Sequence, residues 1–323
     1  MRERATRVRR TWCGIAACLA VLWGVGTAAA QEAGPPRQSL DDAWWTGPML
    51  ANSAETLPRG HMLFEPYVYD TASKGVDAFG SRAYVLYGLT DRLTVGLIPI
   101  VGYNRVSRGS DSSGIGLGDQ TVQAQYRFTR FHEGSWLPTL ALQWQETLPT
   151  GRYDRLARAS DGMGGGARAT TLGFNAQSYA WLPNGRLLRM RLNLTRTFNG
   201  HADVAGASVY GTDPGFRGTA RPGDAFYLGA SLEYSLTRRW VLALDVFRNH
   251  NGTTRVNGRA DPPGALPEPV RTRLDASDAY GYAPAVEYSW TPNLGVLLGM
   301  RVITGGHGTP HSLTPAIAIN IVD

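Results

Sequence analysis

Cysteine is scarce in this chain and confined to its start. The 323 residues hold two, Cys13 and Cys18. From Gln31 onward there is no disulfide, no thiol nucleophile and no cysteine-held metal. Long apolar runs are missing too. No stretch beyond residue 30 approaches the roughly 18 consecutive apolar residues of a helical membrane span. Charged residues make up 18% of the chain, and most of the basic excess lies in the first 30 positions. Those positions hold five arginines and one glutamate, so the net charge of the remainder is +2 rather than +6. The high isoelectric point therefore gives no argument for a nucleic-acid partner. Gly114, Gly116 and Gly118 are not followed by the Gly-Lys-Ser/Thr of a phosphate loop. His307 and His311 stand four apart, but Gly305, Gly306, Gly308 and Pro310 exclude the helix that would align them on a metal. No metal and no cofactor is expected.

What is present begins with an export pattern. Arg2, Arg4, Arg7, Arg9 and Arg10 precede the apolar run Trp12–Gly26, and Ala28, Ala29 and Ala30 supply the small residues of a cleavage site. Residues 1–30 thus read as a secretory signal peptide. Residues 31–60 differ from all that follows. Gln31–Gln38 is a Pro/Gly/polar linker, and Ser39 with Asp41 and Asp42 fits the start of a short helix. Pro48 and Pro58 prevent a long one. This stretch is read as a periplasmic arm or plug that leads into the first strand near His61.

From there the chain alternates with a period of two. In Leu93–Tyr103, residues Leu93, Val95, Leu97, Pro99, Val101 and Tyr103 fall on one side, with Thr94, Gly96 and Gly102 on the other; Ile98 and Ile100 are exceptions. That is a β-strand with one apolar face. Comparable segments recur at about 61–70, 80–89, 93–103, 117–129, 136–147, 169–181, 186–198, 225–236, 240–249, 279–290, 294–304 and 312–322. Twelve segments of about ten residues suit tilted strands crossing a bilayer. Short turns near 90–92, 130–135, 183–185, 237–239 and 291–293 interleave with long Gly/Asp/Arg/Pro-rich loops at 104–116, 148–168, 199–224 and 250–278. This alternation belongs to an outer-membrane barrel, with short periplasmic turns and long external loops. The fold expected over residues 61–323 is therefore an all-β, antiparallel up-and-down transmembrane barrel of about 12 strands. Pro66, Pro99, Pro138, Pro284 and Pro315 fall within these segments, where each removes a ladder hydrogen bond.

Strands entering the short turns end alike. The copies are Tyr87-x-Leu89, Tyr126-x-Phe128, Tyr179-x-Trp181, Tyr234-x-Leu236 and Tyr288-x-Trp290. Tyr87, Tyr126, Tyr179, Trp181, Tyr234, Tyr288 and Trp290 are expected to form an aromatic girdle at the lipid headgroups. The opposite face of the strands carries Glu65, Asp119, Arg127, Arg189, Arg191, Glu233, Asp245, Glu287 and Arg301. These charges would either filter anionic solutes in the lumen or pair across it and rigidify or plug it. Arg189 and Arg191, with no acid in their own strand, are the leading filter candidates. Gly162–Gly166 after Asp161 reads as a flexible loop.

The run Gly116-Leu117-Gly118-Asp119-Gln120-Thr121, continuing to Tyr126-Arg127, resembles the outer-membrane barrels grouped with the phenol-degradation meta-pathway. Trp45-Thr46-Gly47-Pro48, Thr56–His61, Glu65-Pro66-Tyr67, Tyr87–Arg92 and Leu148–Gly151 add to the likeness. The resemblance implies a bacterial outer-membrane barrel that passes small, often aromatic or hydrophobic solutes, and brings no catalytic residues. Its expected partners are membrane lipids, those solutes and the outer-membrane assembly machinery. Two other readings stay open: a structural or adhesive barrel without an open pore, and an outer-membrane lipid hydrolase. For the latter, Ser312, His311 and His250 near the external rim are the candidates, with no group apparent to orient a base.

Overall fold

The computed structural model describes residues 35–261 and 266–323, so the expected signal peptide lies outside the described residues. Residues 37–323 form one unit. The period-two segments become β1 (Met62–Ser73), β2 (Val76–Thr90), β3 (Leu93–Ile98), β4 (Ile100–Val106), β5 (Gly116–Leu117), β6 (Gln120–Thr129), β7 (Thr139–Leu148), β8 (Ala169–Trp181) and β9 (Leu187–Asn199). After two further strands come β12 (Ala225–Ser235), β13 (Trp240–Asn251), β16 (Ser277–Thr291), β17 (Leu294–Gly305) and β18 (Ser312–Val322). The intervening strands are β10 (Ala202–Ala205), β11 (Phe216–Arg221), β14 (Thr254–Ala260) and β15 (Glu268–Leu274).

β1 pairs with β2 on one side and β18 on the other, so the large antiparallel sheet closes on itself. β3 and β4 pair with the same strand, β2, on either side of Pro99, and β6 and β5 continue them as neighbours. These four pieces make two staves, and the barrel has twelve. Closure leaves no edge, which is what lets a sheet satisfy its backbone inside a bilayer. No helix among the described residues is long and apolar enough to cross a membrane. Around Leu40–Asp42 the expected short helix is a single 3-10 turn without a side-chain bond from Ser39.

Each strand proline has a local solution. Pro99 breaks one stave in two, and Pro138 lies just ahead of β7. Pro66, Pro284 and Pro315 keep one partner, Ala83, Leu244 and Met300 respectively. On their other side the register has no pair at the proline. The missing N–H is thus placed where the ladder is already interrupted.

The two ends differ. At one end, the turn end, connections are short: Asp91–Arg92 and Pro292–Asn293 are two-residue links. At the other, the loop end, Lys74–Gly75 is tight and residues 306–311 make a six-residue link, but the rest are long. Two stretches read from sequence as loops, 199–224 and 250–278, contain β10, β11, β14 and β15, which form a second, four-stranded antiparallel sheet. Its inner face has a small core of its own, Ala202, Val204, Phe216, Ala220 and Val256, with Tyr153, Ala167 and Tyr210 packed on it. These strands are short, and two of them carry a glycine, Gly218 and Gly258, so their period-two signal was diluted among turn residues.

The two faces of the barrel follow the sequence pattern. Phe64, Val68, Leu97, Leu142, Leu232, Leu242, Leu244, Leu298, Ile317 and Ile319 stand exposed on the outer wall. Gln123, Gln125, Gln143, Asn175, Arg189, Arg191, Asn193, Glu233, Asp245 and Glu287 are buried inside. A polar interior and an apolar exterior invert a soluble barrel and match one solvated by lipid.

Candidate solute path in the barrel lumen

The segment before β1 runs inside the barrel. Gln38 is fixed at the turn end by the Trp181 indole N–H, which donates to its carbonyl (2.8 Å), and by the Ser235 hydroxyl (2.8 Å). Asp42 pairs with Arg238, whose hydrogen bond holds this carboxyl below its ordinary value. Further in, Glu287 accepts the backbone N–H groups of Thr46 (2.8 Å) and Gly47 (3.0 Å). Asp245 accepts those of Leu50 (3.2 Å) and Ala51 (3.1 Å). Gln125 donates to the carbonyls of Ser53 and Glu55, and Leu57 N–H donates to Thr94. Residues 46–57 therefore hydrogen-bond to inward side chains of several staves. A carboxylate accepting two main-chain N–H groups is a charge-assisted anchor.

Beside this segment lies a charge cluster. Arg189 is paired with Glu233 through two guanidinium nitrogens, and Arg191 lies 3.0 Å from the same carboxylate. Arg191 also donates to the Ala51 carbonyl (2.8 Å), and the Arg189 guanidinium lies 4.3 Å over the Trp45 ring. The partner that Arg189 and Arg191 lack within their own strand comes from the adjacent one, where Glu233 sits in register with Arg189. As buried, paired groups they anchor the inner segment, and both also line the cavity beside it. Arg127 sits at the turn end, bonded to Thr56 and to the Asp91 carbonyl and near Glu55. Glu65 accepts from Asn320. Asp119 binds the N–H groups of Gly151 (2.9 Å) and Gly165 (2.6 Å) at the loop end.

The inner segment is held toward one side. Met49 packs on Ala243, Ala285, Leu297 and Ala318 of the β13–β18 wall. On the β1–β2–β3–β6 side a cavity of about 250 Å³ remains, reaching Glu65, Tyr67, Tyr84 and Leu86. Toward the loop end a second cavity of about 480 Å³ is lined by Tyr69, Arg82, Ile100, Asn104, Thr121 and Met163. Between them the rings of Tyr67 and Tyr84 meet edge to face, 6.0 Å apart. Ile98 and Ile100, the two exceptions to the alternation, belong to this wall.

Arg82, missed in the sequence reading because Ser81–Leu89 mixes its faces, is exposed to this cavity. It has no carboxylate within 4.0 Å among the described residues, and neither has Arg301, which donates to Thr314 at 3.2 Å. Arg82 and Arg301 lie near one another, with Tyr69 close to both, Tyr67 and Tyr84 near Arg82, and Tyr227 near Arg301. Tyr69 lies flat on Gly80, where a Cβ would come within 2.7 Å of its ring. Tyr227 and Phe247 stack at 6.1 Å on the same face. Cations beside aromatic faces make a surface for ring-bearing anions.

From the loop end, residues 159–165 fold inward. The Asp161 carboxylate accepts the Ser113 N–H (2.7 Å) and hydroxyl (2.9 Å), and the first of these bonds does most to hold its pKa below the ordinary value. Asn104 donates to the Ser160 carbonyl (2.9 Å), and Tyr210 donates to that of Gly165. Burial pushes the Tyr210 phenol up to about 12. The Asp161–Gly166 stretch, expected to be flexible, is instead bound on several sides.

Of the girdle residues, Tyr87, Tyr126 and Trp290 are exposed on the outer wall, and Tyr234 and Tyr288 share that face. Tyr179 does not. It faces inward, bonded by Gln177 and packed against Trp45 and Phe131, while Trp181 bonds Gln38. This copy of the motif serves the inner segment. The hydrolase candidates are dispersed: His250 on β13 contacts Asp278 (3.2 Å), whereas Ser312 lies on β18, two strands beyond β16.

A closed twelve-stranded barrel with an apolar exterior, a polar lumen and an inward-folded segment ahead of its first strand is a transmembrane β-barrel of the outer-membrane fold. An outer membrane channel from Pseudomonas putida F1 has this fold, with a TM-score of 0.62 at 16% identity over 85% of this chain and 100% of that one. The NanC porin (TM-score 0.44, 9% identity, 80% and 98% covered) and the Pseudomonas putida toluene transporter TodX (0.40, 13%, 91% and 99%) are more distant in shape. No curated protein matches the sequence. The family described as "Putative MetA-pathway of phenol degradation" matches residues 66–309, three quarters of the chain, and the protein belongs to that family.

Proposed function

We propose that this protein is an outer-membrane diffusion channel for small aromatic or hydrophobic solutes, favouring those that carry a carboxylate. The carrying observation is the pair of lumen cavities on the β1–β2–β3 side, with the Tyr67–Tyr84 ring pair at the first, Arg82 lining the second, and Arg301 near Arg82. The route follows that wall, past the inner segment rather than through it. The segment acts as a partial plug whose seat on Glu287 and Asp245 sets the width left open. The family and the shared barrel fold support this reading. Passage in this reading is diffusion down the solute's own gradient.

The test is conductance of the purified full chain in planar bilayers, with heat-modifiable gel migration to certify the folded barrel. Discrete conductance steps that benzoate reduces at millimolar concentration are expected. A second reading, a plugged structural barrel, draws on the dense bonding of residues 46–57. A folded barrel that passes no current, with or without the Glu287 and Asp245 anchors, establishes that reading and overturns the channel. Recovery of the protein in the soluble periplasmic fraction overturns both.

A further inference from the structure

The second sheet carries an unusual outer face. In β11, β14 and β15 the residues opposite the small core are Arg217, Thr219 and Arg221, then Arg255, Asn257 and Arg259, then Arg271 and Arg273, all exposed. The register places Arg217 directly opposite Arg259, and lines Arg221, Arg255 and Arg273 in one cross-strand row. Directly opposed side chains in an antiparallel pair have Cβ atoms about 5 Å apart, and like charges there repel. Asp203 on β10 is the one acid on this face. None of the six arginines has a carboxylate within 4.0 Å among the described residues. A surface pairing its own cations across three strands is built for an anion that bridges them.

All six are arginine, in a chain with one lysine, Lys74. Guanidinium forks bind phosphate oxygens bidentately, which an ammonium does not. The direction of the face selects the source of the phosphate. Its inner side packs on Tyr153 and Ala167 of the β7–β8 loop, which itself folds toward the lumen, and on Tyr210 of the β10–β11 connection, so the arginine side faces away from the pore. At the external end of an outer-membrane barrel, that direction is occupied by the phosphorylated head region of lipopolysaccharide.

We infer that the arginine face of the β10–β11–β14–β15 sheet is a binding surface for the phosphate groups of outer-leaflet lipopolysaccharide. The inference rests on outer-membrane location with the long loops outside, and is independent of whether the pore is open. Each phosphate is shared between opposed arginines, which relieves their repulsion and fixes the sheet above the membrane.

The experiment measures retention of deep-rough lipopolysaccharide by the purified full chain in detergent, beside the same lipopolysaccharide after enzymatic dephosphorylation. The wild type is expected to bind the phosphorylated form at least tenfold more tightly, with affinity falling steeply between 50 and 500 mM salt, on the order expected for several charge contacts. Replacing the row, Arg221→Gln, Arg255→Gln and Arg273→Gln together, removes that preference, while the corresponding Arg→Lys triple retains part of it. Arg238→Gln, at the opposite end, leaves it unchanged. Gel migration and conductance report that the barrel is intact in each variant. Equal binding of the dephosphorylated lipid, undiminished binding by a folded triple Gln variant, or equal displacement by a soluble polyphosphate overturns the proposal.

Discussion

The two halves of the lumen treat arginine in opposite ways. Near the turn end Arg189 and Arg191 are buried, share one carboxylate and hold the inner segment. Toward the loop end Arg82 and Arg301 have no acid partner and stand among tyrosines. The same side chain is a structural brace where Glu233 meets it and, in the proposed channel, a solute contact where no carboxylate does. Burial with a partner removes a charge from chemistry; leaving it unpaired beside a cavity makes it available.

Breaking the lower half has the largest expected effect. Glu233→Gln leaves two buried guanidiniums without their carboxylate, and loss of one partner of a buried pair costs about 3–5 kcal/mol. The variant should convert to its denatured gel form at a markedly lower temperature. Removing the anchors, Glu287→Ala with Asp245→Ala, unseats four N–H groups of residues 46–51, at about 1–3 kcal/mol for each one left buried without a partner. Higher conductance and faster hydrogen exchange at Thr46, Gly47, Leu50 and Ala51 are expected; unchanged exchange would detach the acids from the segment.

Breaking the upper half should leave the barrel as stable as before. Arg82→Gln with Arg301→Gln is expected to lower the preference for benzoate over benzyl alcohol about tenfold, near 1.4 kcal/mol, with gel migration unaltered. A loss for both solutes alike would assign these arginines to pore shape instead. The smallest effect concerns the inward loop. The depressed pKa of Asp161 means that its bonds to Ser113 add stability above the unfolded value of 3.8 and lose it as the pH falls through the lower folded value. Exchange protection of residues 159–165 should thus be flat from pH 7 to about 5 and decline in strong acid, earlier in Ser113→Ala.

The barrel was legible because its outer face meets a uniform solvent. Leu188, Met190, Leu192 and Leu194 alternate cleanly since lipid demands the same answer at each position. The lumen makes no such uniform demand. Tyr179 and Trp181 share their spacing with true girdle residues, yet the inner segment reaches them first, and a spacing does not reveal a competitor for the same ring. Glu233 as the partner of Arg189 follows from register between β9 and β12, which no single strand encodes. Arg82 was hidden among residues whose two faces are both mixed, and the second sheet among glycines and turns.

The anchors of the inner segment also have an order in time. Thr46 and Gly47 bond Glu287 on β16, some 240 positions later in the chain, and Leu50 and Ala51 bond Asp245 on β13, almost 200 positions later. Contacts so far apart in sequence form late and slowly. The stretch that precedes the barrel strands is thereby among the last to find its place, and its protection from exchange becomes a clock for closure of β1 on β18.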